Sequence, residues 1–159
     1  MLSSKTWTVV GTAALAVALS AVDARAEECG CPAARNTHAV SALPSYASAF
    51  AGRVVAVKEE GADRKVTLQV FRAWKGPRAK TLDLTTSAGA CGVAFEEGAD
   101  YVVYSTGKKD DLRTDACSLT AALARSAKAI RQLDLHAGYG SNPLRVPAPG
   151  SGPAEARQR

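Results

Sequence analysis

Histidine is nearly absent from this chain: among 159 residues only His38 and His136 carry an imidazole. Neither stands in a nucleophile or metal motif. His38 lies in Arg35-Asn36-Thr37-His38, on a surface approach to a first helix, and His136 falls at the end of a helical pattern, where a cation complements the helix dipole. No glycine-rich loop follows a strand pattern to cradle a phosphate. The adjacent acids Glu96-Glu97 and Asp110-Asp111 neighbour glycines, and turn solvation accounts for them without paired acid–base catalysis. These absences argue against an enzyme, and no metal or other cofactor is expected. Charge is also sparing: the formal net charge is +5, spread along the chain. It permits contact with an anionic polysaccharide or cell surface but forms no nucleic-acid footprint.

Long hydrophobic runs are missing too. The apolar stretch Trp7 to Leu19 is shorter than the roughly 20 residues a membrane-spanning helix needs. With Lys5 before it and Ala24-Arg25-Ala26 after it, the stretch reads as a secretory signal, residues 1–26, cleaved after Ala26, with Ala24 as the competing site. No transmembrane segment is then expected, and the mature chain is secreted, to a periplasm or the extracellular space. Loss of Lys5, Arg25 and Asp23 with the signal takes the charge from +5 to +4. Residues 27–140 make one ordinary domain with volume for a single core. Residues 141–159 are rich in Pro, Gly and Ser, offer little apolar surface, and read as a disordered tail.

Between these ends the pattern is short strands followed by a helix. Phe50 to Lys58 is valine-rich and stops at Glu59-Glu60-Gly61-Ala62-Asp63. Val66, Leu68 and Val70 alternate with Lys65, Thr67 and Gln69 in a half-buried strand that runs to Trp74, where Gly76-Pro77 ends it. Leu82 and Leu84 mark a third strand, Asp100 to Ser105 a fourth, and Leu112 to Ala116 a short fifth. Trp74, Tyr101 and Tyr104 read as core or barrel-rim aromatics. After Cys117 the period changes: Leu119, Leu123, Ala127, Ile130 and Leu133 form one helical face, capped by Ser118 or Thr120 and closed by Gly138. Arg125, Lys128 and Arg131 lie off that face as a solvated side. Five short strands and one closing helix fit a mainly β fold, a small five-stranded barrel of the oligonucleotide/oligosaccharide-binding (OB) type, which removes exposed strand edges. Pattern alone also allows an open sheet backed by the helix.

Only four cysteines occur, Cys29, Cys31, Cys91 and Cys117. In an oxidising compartment they persist as disulfides. Bonding Cys29 to Cys31 strains disulfide geometry, which leaves two of the three connectivities. Both tie the mature N-terminus to two distant segments. A zinc site is the other use for four cysteines, but such sites show close cysteine pairs on both sides, and Cys91 and Cys117 are isolated singles.

Several strings stand in a telling order: Cys29-Gly30-Cys31-Pro32, Phe50-Ala51-Gly52-Arg53-Val54, Val70-Phe71-Arg72-Ala73-Trp74-Lys75-Gly76, Ala90-Cys91-Gly92-Val93-Ala94-Phe95, Gly98-Ala99-Asp100-Tyr101-Val102-Val103-Tyr104, and Thr114-Asp115-Ala116-Cys117-Ser118. Over residues 29–135 the chain resembles the inhibitory domain of the tissue inhibitors of metalloproteinases (TIMPs) and the related netrin-like modules, in a bacterial-type form. The resemblance implies an OB-type barrel flanked by helices, a short N-terminal one included, with bridges Cys29–Cys91 and Cys31–Cys117. It implies partner contact through Cys29, Gly30, Cys31 and Pro32 together with Cys91 and Gly92, and an extracellular metalloprotease or an envelope protein as the partner. In that family the first cysteine is the mature N-terminal residue; its α-amine and carbonyl chelate the protease zinc and the next side chain enters the specificity pocket. This chain departs from the pattern: Glu27 and Glu28 precede Cys29, Gly30 brings no side chain, and the family's additional short disulfide has no cysteines here. A non-inhibitory binding or adhesion module is the alternative.

Overall fold

The computed structural model describes residues 29–32, 38–140 and 144–148. The expected signal segment, Glu27 and Glu28 lie outside the described residues, as does most of the expected tail; residues 144–148 carry no helix or strand.

Among the described residues six strands and one α-helix follow one another: β1 (Ser48–Glu60), β2 (Asp63–Lys75), β3 (Thr81–Ser87), β4 (Asp100–Lys108), β5 (Asp111–Arg113), β6 (Ala121–Ala122) and α1 (Ala127–His136). β1 and β2 form a long antiparallel hairpin, β2 pairs with β3, β3 meets β5 in parallel at Thr85 and Arg113, and β5 turns back onto β4. β4 then returns to β1, from Ser48 opposite Ser105 to Arg53 opposite Asp100. The ring β1-β2-β3-β5-β4-β1 is a closed five-stranded barrel of OB type, so the open-sheet alternative does not hold. Three register shifts of β1 against β2, between Ala49 and Phe50, Ala51 and Gly52, and Val54 and Ala56, bend β1 enough to serve both neighbours.

Alternation along the strands divides the apolar residues between two cores. Phe50, Val54, Val66, Leu68, Leu82, Leu84, Tyr101, Val103 and Leu112 fill the barrel with Phe95. The opposite faces of β1 and β4 give Ala49, Val102 and Tyr104 to a second core with Ala39, Leu43 and Leu133 of α1. This is why Tyr101 to Ser105 is buried without interruption: β4 is covered on both faces, and such strands read as continuous apolar runs. Tyr104 donates to the Ala39 carbonyl at 3.1 Å and meets the Tyr46 ring edge-on at 5.2 Å. Burial, with the neighbouring Tyr46, pushes the Tyr104 phenol up, which keeps it a donor.

The C-terminal helix is shorter than its sequence pattern. It begins at Ala127, after the β6 pair and a 3-10 turn at Leu123–Arg125. Leu119 and Leu123 still pack on the second core beside Ile130 and Leu133, but from a bend and a 3-10 turn. Ser118 and Thr120 do not cap it. Thr120 Oγ1 instead accepts the Tyr104 N–H at 3.0 Å, which holds the chain against β4 and delays the helix. The end falls as expected. Gly138 has φ +76°, Tyr139 N–H bonds the Asp134 carbonyl at 2.8 Å and Gly138 N–H the Leu135 carbonyl at 3.4 Å, a Schellman closure. The expected N-terminal helix is reduced, among the described residues, to one 3-10 turn at Leu43–Ser45, where Pro44 favours a turn start. β4 also outruns its expected end at Ser105 by three residues, because Gly107 and Lys108 pair with β5. β5 stops at Arg113 rather than Ala116, since Thr114 turns its hydroxyl to the Tyr104 carbonyl.

One buried ion pair clamps α1 to the barrel. Asp134 accepts from Arg72 Nη1 at 2.7 Å and from Trp74 Nε1 at 2.6 Å. Arg72 stacks over the Tyr139 ring at 4.9 Å, and the Tyr139 hydroxyl donates to the Ala73 carbonyl at 2.8 Å. Trp74, expected as a packing aromatic, thus also acts as a hydrogen-bond donor.

Candidate functional site

Two disulfides meet at one end of the barrel. Cys29 bonds Cys91 with Cα atoms 4.8 Å apart, and Cys31 bonds Cys117 with Cα atoms 5.3 Å apart. This is the pairing that the family resemblance implies. The bridges touch: Cys29 Sγ lies 3.7 Å from Cys117 Sγ. Cys29-Gly30-Cys31-Pro32 is therefore strapped over the loops that carry Cys91 and Cys117. Gly30, Cys31, Pro32 and Cys91 are exposed, while Cys29, Gly92 and Cys117 are partly buried. All six residues expected in the contact surface, Cys29, Gly30, Cys31, Pro32, Cys91 and Gly92, come together on this ridge.

The loop before β4 owes its position to a few specific contacts. Gly92 N–H bonds the Gly89 carbonyl at 2.9 Å, Val93 N–H bonds Thr86 Oγ1 at 2.9 Å, and the Cys91 carbonyl accepts from Ala116 N–H at 2.8 Å. A Cβ at Gly92 would overlap the Ser87 carbonyl oxygen, so only glycine lets the backbone pass there. Gly92→Ala is expected to displace the Cys91 loop and lower stability by about 1–3 kcal/mol, the usual cost of forcing an added carbon into packed structure; thermal melting checks this. Lower in the loop, the Tyr101 hydroxyl accepts from Glu96 N–H at 3.1 Å and sits 3.3 Å from the Ala94 carbonyl, while the Phe95 ring packs edge-on against Tyr101 at 4.8 Å. Glu97 is more than a solvated turn acid: it accepts the Val57 N–H at 2.9 Å and ties this loop to β1.

Cys117 is flanked by three hydroxyls, of which Ser118 and Thr120 are the expected helix caps. Thr114 Oγ1 donates to the Tyr104 carbonyl at 2.9 Å and lies 2.8 Å from Thr120 Oγ1 and 3.0 Å from Ser118 Oγ. Ser118 Oγ donates to the Asp115 carbonyl at 2.8 Å and accepts the Thr120 N–H at 3.1 Å. Three hydroxyls flanking one cysteine at short spacing are the signal in the sequence for this role, since each can replace a ladder bond with a local one. The network carries the turn with Cys117 off β4, toward Cys31.

The ridge is open to solvent from Gly30 to Pro32. Cavities of about 370 Å³, beside His38, Arg125 and Lys128, and about 340 Å³, along Phe71, Arg78 and Tyr139, have no ridge residue in their walls. A Cβ at Gly30 would meet no atom within 4 Å, so the space above the strap is open. His38 and His136 are exposed, and neither joins the cluster of cysteine sulfurs. Among the described residues, no helix is long and apolar enough to cross a membrane. The chain matches no protein-family model and no curated protein.

Proposed function

We propose that the chain is an exported protein-binding domain of TIMP/netrin-like type. Its contact surface is the ridge Cys29-Gly30-Cys31-Pro32 with Cys91-Gly92, and its first candidate partner is an extracellular zinc metalloprotease. One observation carries this reading: two touching bridges fix a Cys-Gly-Cys-Pro segment, exposed from Gly30 to Pro32, across the end of a closed OB-type barrel. Two covalent ties on residues so close together restrict the strap before any partner arrives, and preorganisation of this kind lowers the entropy cost of binding. An amine or carbonyl presented to a protease metal needs the same restriction. The reading is of binding rather than catalysis, and it places the mature protein outside the cytosol, where its bridges persist.

A second reading rests on Gly30, which offers no side chain to a specificity pocket, and on Glu27-Glu28, which stand before the Cys29 amine. On these grounds the domain is a non-inhibitory module that binds an envelope or extracellular protein. A titration against a panel of zinc metalloproteases separates the two. The form starting at Glu27 is expected to inhibit poorly. The form trimmed to Cys29 is expected to inhibit better, and Gly30→Ser in that form better still, because the added side chain enters open space. Tight inhibition by the Glu27 form would overturn the requirement for a free cysteine amine. Inactivity of all three would leave the non-inhibitory module as the function.

A further inference from the structure

Spacing along the chain argues against a metal site, because Cys91 and Cys117 are isolated singles. Folding removes that objection. The Sγ atoms of Cys29, Cys31 and Cys117 all lie within 4.8 Å of one another, and Cys91 Sγ is bonded to Cys29 Sγ. In a tetrahedral zinc site with Zn–S of about 2.3 Å, neighbouring sulfurs stand about 3.8 Å apart. The contact between the two bridges, 3.7 Å from Cys29 Sγ to Cys117 Sγ, already has that spacing. On reduction the separation within each former bridge must grow, by roughly 1 Å of movement per sulfur, and Cys91 Sγ, which stands outside the three-sulfur cluster, must swing in as the fourth ligand. Cys31 and Cys91 are exposed, and Gly30 between the first two thiols has open space around it, so the strap has room to adjust and an ion has a path in.

We propose that the protein in its reduced state, before the bridges form, binds one zinc ion through Cys29, Cys31, Cys91 and Cys117. Among the described residues the cluster holds the sulfurs of Cys29, Cys31 and Cys117 and no oxygen or imidazole, and with Cys91 as the fourth thiolate it is a soft donor set of the structural zinc class. Metal and disulfides use the same four sulfurs and exclude each other. The ion holds the N-terminal strap to the barrel end in the reduced chain, and the bridges hold it in the oxidised one. Conversion requires an oxidant: a small-molecule disulfide takes two electrons for each protein bridge formed, leaves as two thiolates, and the zinc ion is released.

The experiment uses the full mature chain, reduced with a phosphine in metal-free buffer and titrated with Co²⁺ as a spectroscopic probe. Binding of one Co²⁺ per chain is expected, with the intense visible bands of a tetrahedral all-thiolate site that equimolar Zn²⁺ abolishes. The oxidised protein should show no bands, and Cys91→Ser in the reduced state should lose the four-thiolate spectrum. Where the reduced metal-free chain is unfolded, the β circular dichroism should return on adding metal. Absence of the bands in the reduced chain would overturn the proposal. So would equal bands in denaturing urea, since the thiols would then collect metal without the fold.

Discussion

Reduction of both bridges is expected to lower the stability of the domain by about 8 kcal/mol, enough to unfold many domains of this size. The loops they close span 62 and 86 residues in sequence separation, each worth about 4 kcal/mol in the chain-entropy account. The bridges are not independent, because Cys29 and Cys31 are neighbours. With Cys29–Cys91 intact, Cys117 reaches Cys31 through that bridge by a path of only about 28 residues, so the second closure costs less entropy than its own loop implies. Replacing Cys31 and Cys117 together by serine should therefore cost about 3.5 kcal/mol, less than half the loss on full reduction. Urea unfolding of the oxidised, singly bridged and reduced forms measures all three values. Equal losses for one bridge and for both would contradict the shared-loop account.

Asp134→Ala is expected to cost about 2–3 kcal/mol, the usual loss when a buried carboxylate that accepts charged and neutral hydrogen bonds is removed. Asp134 is 5% exposed and serves two donors, Arg72 Nη1 and Trp74 Nε1, at once. Its loss leaves a guanidinium and an indole N–H without their shared carboxylate between α1 and β2, while Arg72 keeps its stacking on Tyr139. Asp134→Asn retains one acceptor and should lose less. Replacing Arg72 and Asp134 together by leucine should lose less than Asp134→Ala, because apolar side chains of similar volume take the place of the whole pair. Denaturant midpoints of the three variants test the order; a loss below about 1 kcal/mol for Asp134→Ala would mean that water takes over the carboxylate's role.

Elements whose signal is local are legible in the sequence. Period-2 alternation at Val66, Leu68 and Val70 locates β2, and the glycines at 61, 76 and 138 locate the end of a hairpin, a strand and a helix. The ridge residues are legible through a resemblance spread over the cysteine-bearing strings, rather than through any one motif. The start of α1 is not. Leu119 and Leu123 keep helical spacing, yet Thr120 bonds β4 and Ala121-Ala122 pair with Tyr101 and Val102. A strand edge more than a dozen residues upstream outcompetes local helix preference there, and no window around Leu119 contains that edge.

What the sequence determined by itself was the inventory: strands of a given face, an oxidisable quartet whose first two members have one residue between them, and a scarcity of histidine. Tertiary structure alone decided which distant groups meet. Closure of β1 onto β4 divides one set of apolar residues into two cores. The Asp134 clamp joins groups 60 and 62 positions apart, and the 3.7 Å contact between bridges brings Cys29 to Cys117 across 88. Residue type and spacing set what each segment buries, but the register of a closed barrel is a property of all its strands at once, and it is that register which places the sulfurs together.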